Sequence, residues 1–257
     1  MKIILKKIRS TYLVPAVMVY FIVGAGLASG QDHQARIYNA YLLKRMDTWN
    51  EVVEEMVEEY RVSKEKELLF DIIEAEYGYT AYCISVKRRE EAREVLERAI
   101  GHVNLMLADD PDNSRIYSLQ GALFGFRVYL EPFRALKNRR KSIEANQIAI
   151  SLGPDEPQAW MEKANIEFYT PAILGGSKKS AVPLYEKAVR LFELTPERTE
   201  QNWIYLNCMV GLGMAYEKAK QIKDADMVYK KLLRLEPSFS WVRDDLYPQF
   251  LENHSLN

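Results

Sequence analysis

The groups in this chain whose type and spacing invite chemistry are three histidines, two cysteines and a few polar turns. His33, His102 and His254 lie far apart, and none stands in an H-E-x-x-H or C-x-x-C setting, so no metal-ligand set follows from them. Nucleophilic catalysis would need an elbow such as G-x-S-x-G, and none occurs. Cys83 and Cys208 fall inside helical patterns in widely separated segments. In an elongated stack their Cα atoms lie beyond the ~7 Å reach of a disulfide, so both read as small buried apolar residues. Gly175-Gly176-Ser177-Lys178-Lys179 joins free amides to two positive charges, the makings of an anion site at a helix start. P-loop spacing and a preceding strand are missing, and the reading is a tight turn with Ser177 as N-cap and Pro183 in the first helical turn. Asp109-Asp110-Pro111-Asp112-Asn113 gathers oxygens without the central glycine and distal glutamate of a calcium loop, and reads as a turn with capping residues. The basic runs Lys87-Arg88-Arg89 and Lys137-Asn138-Arg139-Arg140-Lys141 read as solvated turns and helix starts, the second with reach for an acidic partner. No catalytic residue, metal or cofactor is expected, because the carboxylates are spread along helix faces.

The elements that carry these residues begin after a separate leader. MKIILKKIRS holds four positive charges and no acid, residues 12–27 are apolar apart from tyrosines, and Ala28-Ser29-Gly30 ends the run with small residues. That three-part pattern is a secretory signal peptide, cleaved after about Gly30. The apolar run is ~16 residues, short of the ~20 that span a bilayer. No lipobox cysteine stands near the junction. The expectation is a single exported domain, residues 31–257, periplasmic or secreted, with no stable membrane insertion after cleavage.

The whole chain has 35 basic and 36 acidic residues in 257, and removing residues 1–30 leaves 31 against 36. A net charge near −5 gives no electrostatic reason to bind nucleic acid or an anionic membrane. Hydrophobic residues make up 48%, enough for a packed core.

Prolines close helical patterns at Pro111, Pro154, Pro196 and Pro237, which are 43, 42 and 41 residues apart. A period of this size means stacked supersecondary units. In the last unit, residues 206–237, Leu212, Gly213 and Tyr216 share one helix face, and Ala225, Tyr229 and Leu232 share a face of the next helix. Small Gly213 and Ala225 let the two helices approach, and Pro237 stops the second. This unit resembles the tetratricopeptide repeat (TPR), W-x2-L-G-x2-Y followed by A-x3-F-x2-A and a proline, with Met209 in place of the tryptophan. Units at 158–196, 114–154 and 73–111 keep the small and large positions less strictly. Relative to the repeat, the connection in 158–196 is about four residues longer and that in 114–154 about nine. Residues 35–60 form a degenerate first pair with an acidic outer face, and 239–257 a closing segment. The resemblance implies an all-α, right-handed α-solenoid of about five stacked antiparallel helix pairs. The long helices and the GGS loop resemble, more loosely, envelope TPR proteins of Gram-negative bacteria, including the periplasmic component of some tripartite solute transporters.

In such a stack the first helix of each pair lines the concave side. The register puts Tyr77, Ser118, Phe126, Glu162, Tyr169, Asn207 and Met214 there, a mix of aromatic, apolar and polar groups suited to a protein or peptide helix. A non-enzymatic scaffold that binds a protein partner in this groove is therefore expected. The alternative is a solute-binding accessory of an envelope transporter. It would hold an apolar small solute behind the loops at 125–141 and 169–180, in a buried cavity lined by Phe126, Tyr129 and Tyr169.

Overall fold

The computed structural model describes residues 33–255, so the signal-peptide reading falls outside the described residues. Every regular element among them is helical. After α1 (residues 33–42) come α2 (Met46–Ser63), α3 (Lys66–Ser85), α4 (Arg89–Asp109), α5 (Ser114–Leu130), α6 (Ala135–Leu152), α7 (Pro157–Tyr169), α8 (Lys178–Phe192), α9 (Trp203–Lys218) and α10 (Ile222–Leu235). A π-helical turn, Trp241–Leu246, then leads into α11 (Tyr247–His254). The helices pack pairwise in a TPR-like arrangement, with α3 on α4, α5 on α6, α7 on α8 and α9 on α10. The period near 42 reflects long helices: α4 has 21 residues and α6 has 18.

Side-chain pattern explains each layer. On α10 the buried positions are Ala225, Tyr229 and Leu232, at i, i+4 and i+7, and the rest of the surface is largely charged. On α9 nearly every position from Trp203 to Ala215 is buried, as suits a helix covered by both α8 and α10. The close approach of α9 and α10 depends on Gly213, since a Cβ there would stand 2.7 Å from Cε1 of Tyr229. Odd-numbered helices also touch one another in sequence, α3 to α5 to α7 to α9, and form an inner layer.

Three turns within pairs share one device. Lys44, Lys87 and Lys220 each adopt a left-handed conformation (φ 54, 64 and 66°). The following amide bonds back to the carbonyl five residues earlier, Arg45 to Ala40, Arg88 to Cys83 and Gln221 to Tyr216, at 2.8–2.9 Å. This closes the helix end in a Schellman motif. The turns in the third and fourth pairs differ, with 3-10 segments at Pro132–Arg134 and Ala172–Leu174. Two expectations change here. The long connection expected after α5 is largely helix, because α5 runs to Leu130 and α6 begins at Ala135, and apolar Leu130 is buried at the end of α5. Pro183 is the sixth residue of α8 rather than part of its first turn, because capping by Ser177 starts the helix at Lys178. The GGS turn itself is tight, as a Cβ on Gly176 would stand 2.0 Å from the Thr170 carbonyl oxygen. Asn113 caps α5 by accepting from Ile116 N at 3.1 Å. Cys83 and Cys208 are free and buried.

The two ends of the array meet. Tyr38 Oη donates to Glu236 at 2.6 Å, Ser240 Oγ donates to the Leu42 carbonyl at 2.8 Å, and Lys44 pairs with Asp245 at 2.6 Å. The ring of Tyr41 packs on Trp203 and Phe239, with centroids 5.6 and 5.1 Å apart. The first helix thus closes against the last repeat, where an open solenoid would leave a gap.

Candidate binding face

The inner layer is built around Trp203, the first residue of α9. Trp49 meets it edge-on at 5.0 Å, Tyr41 at 5.6 Å and Tyr77 at 6.0 Å, so α1, α2 and α3 all converge on it. Trp49 spends its indole N–H on the Ala75 carbonyl at 3.0 Å. Tyr77 stacks on Phe126 at 5.5 Å with an interplanar angle of 15°. Its hydroxyl donates to Glu162 Oε1 at 2.8 Å, and Asn165 Nδ2 donates to Glu162 Oε2 at 3.0 Å. Asn165 Oδ1 in turn accepts from Tyr185 Oη. Burial pushes the Glu162 carboxyl up from 4.5 to about 7, against the opposing pull of the Asn165 and Tyr77 hydrogen bonds. Burial also raises the phenols of Tyr77, Tyr41 and Tyr185 well above their ordinary value.

The residues expected on the concave face divide into two groups. Tyr77, Ser118 and Glu162 are buried: Ser118 Oγ donates to the Ser114 carbonyl at 3.0 Å, and the other two bond to each other. In this conformation none of these three offers surface to a partner. Phe126, Asn207 and Met214 are half-buried, with Asn207 Oδ1 accepting from Tyr41 Oη at 3.3 Å. Tyr169 is 67% exposed and packs edge-on against Phe168 at 4.9 Å. It lies near enough to Tyr41 and Tyr77 to raise both phenols, which places it at the border of the buried network. Tyr129 is 47% exposed beneath the Arg89 guanidinium at 5.0 Å.

Two features escape the sequence pattern. Trp203 precedes the repeat signature that begins near residue 206, and its signal was the capping residue Asn202 immediately before an apolar run. The other is Glu76, fully buried on α3, which accepts from Arg98 Nε at 2.5 Å and lies 2.9 Å from His102 Nδ1. Arg98 reaches on to Glu54 at 2.8 Å, so the cluster joins α2, α3 and α4. His102 is therefore part of a structural ion-pair cluster. His33 contacts Glu59 at 2.9 Å and His254 contacts Glu217 at 3.4 Å. No group of three or more His, Cys, Asp or Glu among the described residues is arranged to hold a metal ion.

Residues 206–239 match the family model for the tetratricopeptide repeat. No curated protein matches the chain. Among solved structures, the chain is similar to the HusA haemophore from Porphyromonas gingivalis (TM-score 0.55, 18% identity, covering 70% of this chain and 94% of that one). It is also similar to TTC0263, a thermophilic TPR protein in Thermus thermophilus (TM-score 0.56, 14% identity, 85% and 98%). At such identities the likeness is one of fold. Residues 206–239 thus match the tetratricopeptide repeat, and the chain around them has the pairwise-stacked, all-helical fold seen in tetratricopeptide-repeat proteins.

Proposed function

We propose that this protein is an exported, non-enzymatic TPR scaffold that captures a protein or peptide segment along the open remainder of its inner face. The observation that carries the reading is Tyr169, a large exposed aromatic at the border of an otherwise sealed aromatic network. Half-buried Phe126, Asn207 and Met214 extend the face on α5 and α9. An aromatic anchor flanked by packed apolar groups is the usual make-up of a binding hot spot. Export is supported by the three-part pattern of residues 1–30.

The solute-binding alternative requires a buried chamber lined by Phe126, Tyr129 and Tyr169. Tyr129 and Tyr169 are exposed, and Phe126 is half-buried with one ring face on Tyr77, so the geometry favours the scaffold. One structural neighbour is described as a haemophore, and that description keeps the solute reading as an outcome of the test. The test is affinity capture from solubilised envelope with wild type, Tyr169→Ala and Tyr77→Phe. The expected result is a specific protein lost by about tenfold with Tyr169→Ala and retained with Tyr77→Phe, whose changed hydroxyl is buried. Equal capture by all three would remove Tyr169 from the interface. A small molecule co-purifying in place of a protein would move the function to solute binding.

A further inference from the structure

The strongest unexplained feature is one edge of the array, where the α3–α4, α5–α6 and α7–α8 turns lie side by side. Contacts tie them together: Arg89 lies over Tyr129, Arg93 Nη2 donates to the Leu130 carbonyl at 3.2 Å, and Arg139 Nη2 donates to the Leu174 carbonyl at 3.2 Å. The two 3-10 insertions stand out from this edge. Phe133 at the tip of the first is 105% exposed, as open as in an extended peptide, and Ile173 at the tip of the second is 93% exposed. Leu136 and Leu174 beside them are 78% and 50% exposed. Each insertion thus carries two exposed apolar side chains close in sequence, and clustered rather than single exposed apolar groups mark interaction surfaces. Phe133 and Ile173 project from short 3-10 turns.

Charge on this edge is one-sided. Residues 86–93, 131–141 and 170–179 carry eleven basic groups and three acidic ones, Glu90, Glu91 and Glu131. Lys87, Arg134, Lys137, Arg140 and Lys179 form no ion pair among the described residues. At the opposite edge, the turns between these pairs (residues 110–113 and 153–156) carry four acids and no base. Across these three pairs, basic groups predominate on one edge and acidic groups in the turns opposite. Among the described residues no helix is long and apolar enough to cross a membrane, so any bilayer contact by them is peripheral.

We propose that this edge docks on an anionic lipid surface, with Phe133 and Ile173 entering the headgroup boundary and the surrounding lysines and arginines facing lipid phosphates. Two properties select a bilayer over a folded protein. A fluid interface accepts projecting apolar tips without matching pockets, and basic groups flanking apolar ones are the composition of interfacial anchors. Tyr129, partly exposed on the same edge, adds an amphipathic ring of the kind enriched at membrane–water boundaries.

The test reads the tip itself. Ile173→Cys in the whole chain takes an environment-sensitive NBD dye, since Cys83 and Cys208 are buried. Val62→Cys, on an 87% exposed residue at the opposite edge, serves as the comparison site. With vesicles of phosphatidylcholine and phosphatidylglycerol, emission from position 173 is expected to rise severalfold. It should respond little to phosphatidylcholine alone, and the response should collapse as salt is raised. Position 62 should stay unchanged. Arg134→Glu with Lys137→Glu should cut the response by about tenfold, as anionic-surface attraction per basic group would have it. Both residues are surface-exposed, so helicity is retained. No response at position 173, an equal response with uncharged vesicles, or indifference to the charge reversals would each overturn the proposal. Partner capture through Tyr169 is a separate readout, so failure of either leaves the other standing.

Discussion

Glu162 is the residue through which pH acts on this fold. Its carboxyl is buried, so the native state holds a proton up to about pH 7, whereas an unfolded glutamate loses it near 4.5. Between those values the native state binds more protons than the unfolded one, and stability falls as pH rises. The contribution of this one group reaches about 3 kcal/mol. Asp71, raised to about 6, and Glu74, raised to about 8, act in the same direction, both chiefly through burial. Urea unfolding from pH 4.5 to 8 should show declining stability, and Glu162→Gln should flatten much of the slope below pH 7. An unchanged slope in that variant would assign the effect to other groups. Glu76 is a second buried acidic side chain, bonded to Arg98 and His102. Arg98→Met leaves it with His102 alone, and a loss of about 3–5 kcal/mol in chemical denaturation is expected. Helical register was enough to put Glu162 on an inner face. Whether that face is open depends on Tyr77 and Trp203 meeting across more than a hundred residues, and periodicity carries no signal for that.

At the scale of elements, the small residues at helix crossings explain why the fold was legible. Gly213, Ala225, Tyr229 and Leu232 stand at repeat positions because α9 and α10 cross there in contact. Gly213→Ala should cost about 1–3 kcal/mol through the overlap with Tyr229, read as a lower midpoint in thermal unfolding. Coupling it to Tyr229→Phe should recover little, since the clash is with ring carbons. Elements less bound by the repeat were harder to place. The long α5 and the interior Pro183 follow from tertiary burial of Leu130 and from the Ser177 cap, and neither leaves a periodic mark. The Schellman turns at Lys44, Lys87 and Lys220 likewise carry lysine where glycine is the familiar residue.

At the scale of the whole molecule, the contact between α1 and the last repeat decides what kind of object this is. Trp203 joins α1, α2 and α3 to α9, and Trp203→Ala should cost about 3–5 kcal/mol. Tryptophan fluorescence and helical circular dichroism should follow one coincident transition in the wild type. Stacked repeats with free ends behave as a chain of nearest-neighbour units, and their ends fray first. Here, among the described residues, the first helix and the last repeat hold each other. The same joint has a bearing on how such a protein varies over time. An open array lengthens or shortens by whole repeats, because each new unit asks only for a neighbour. A chain whose Tyr38 must reach Glu236, and whose Leu42 carbonyl must meet Ser240, tolerates neither gain nor loss of a unit. Its repeat number is locked, and change has to enter through the turns, where the 3-10 segments that carry Phe133 and Ile173 stand.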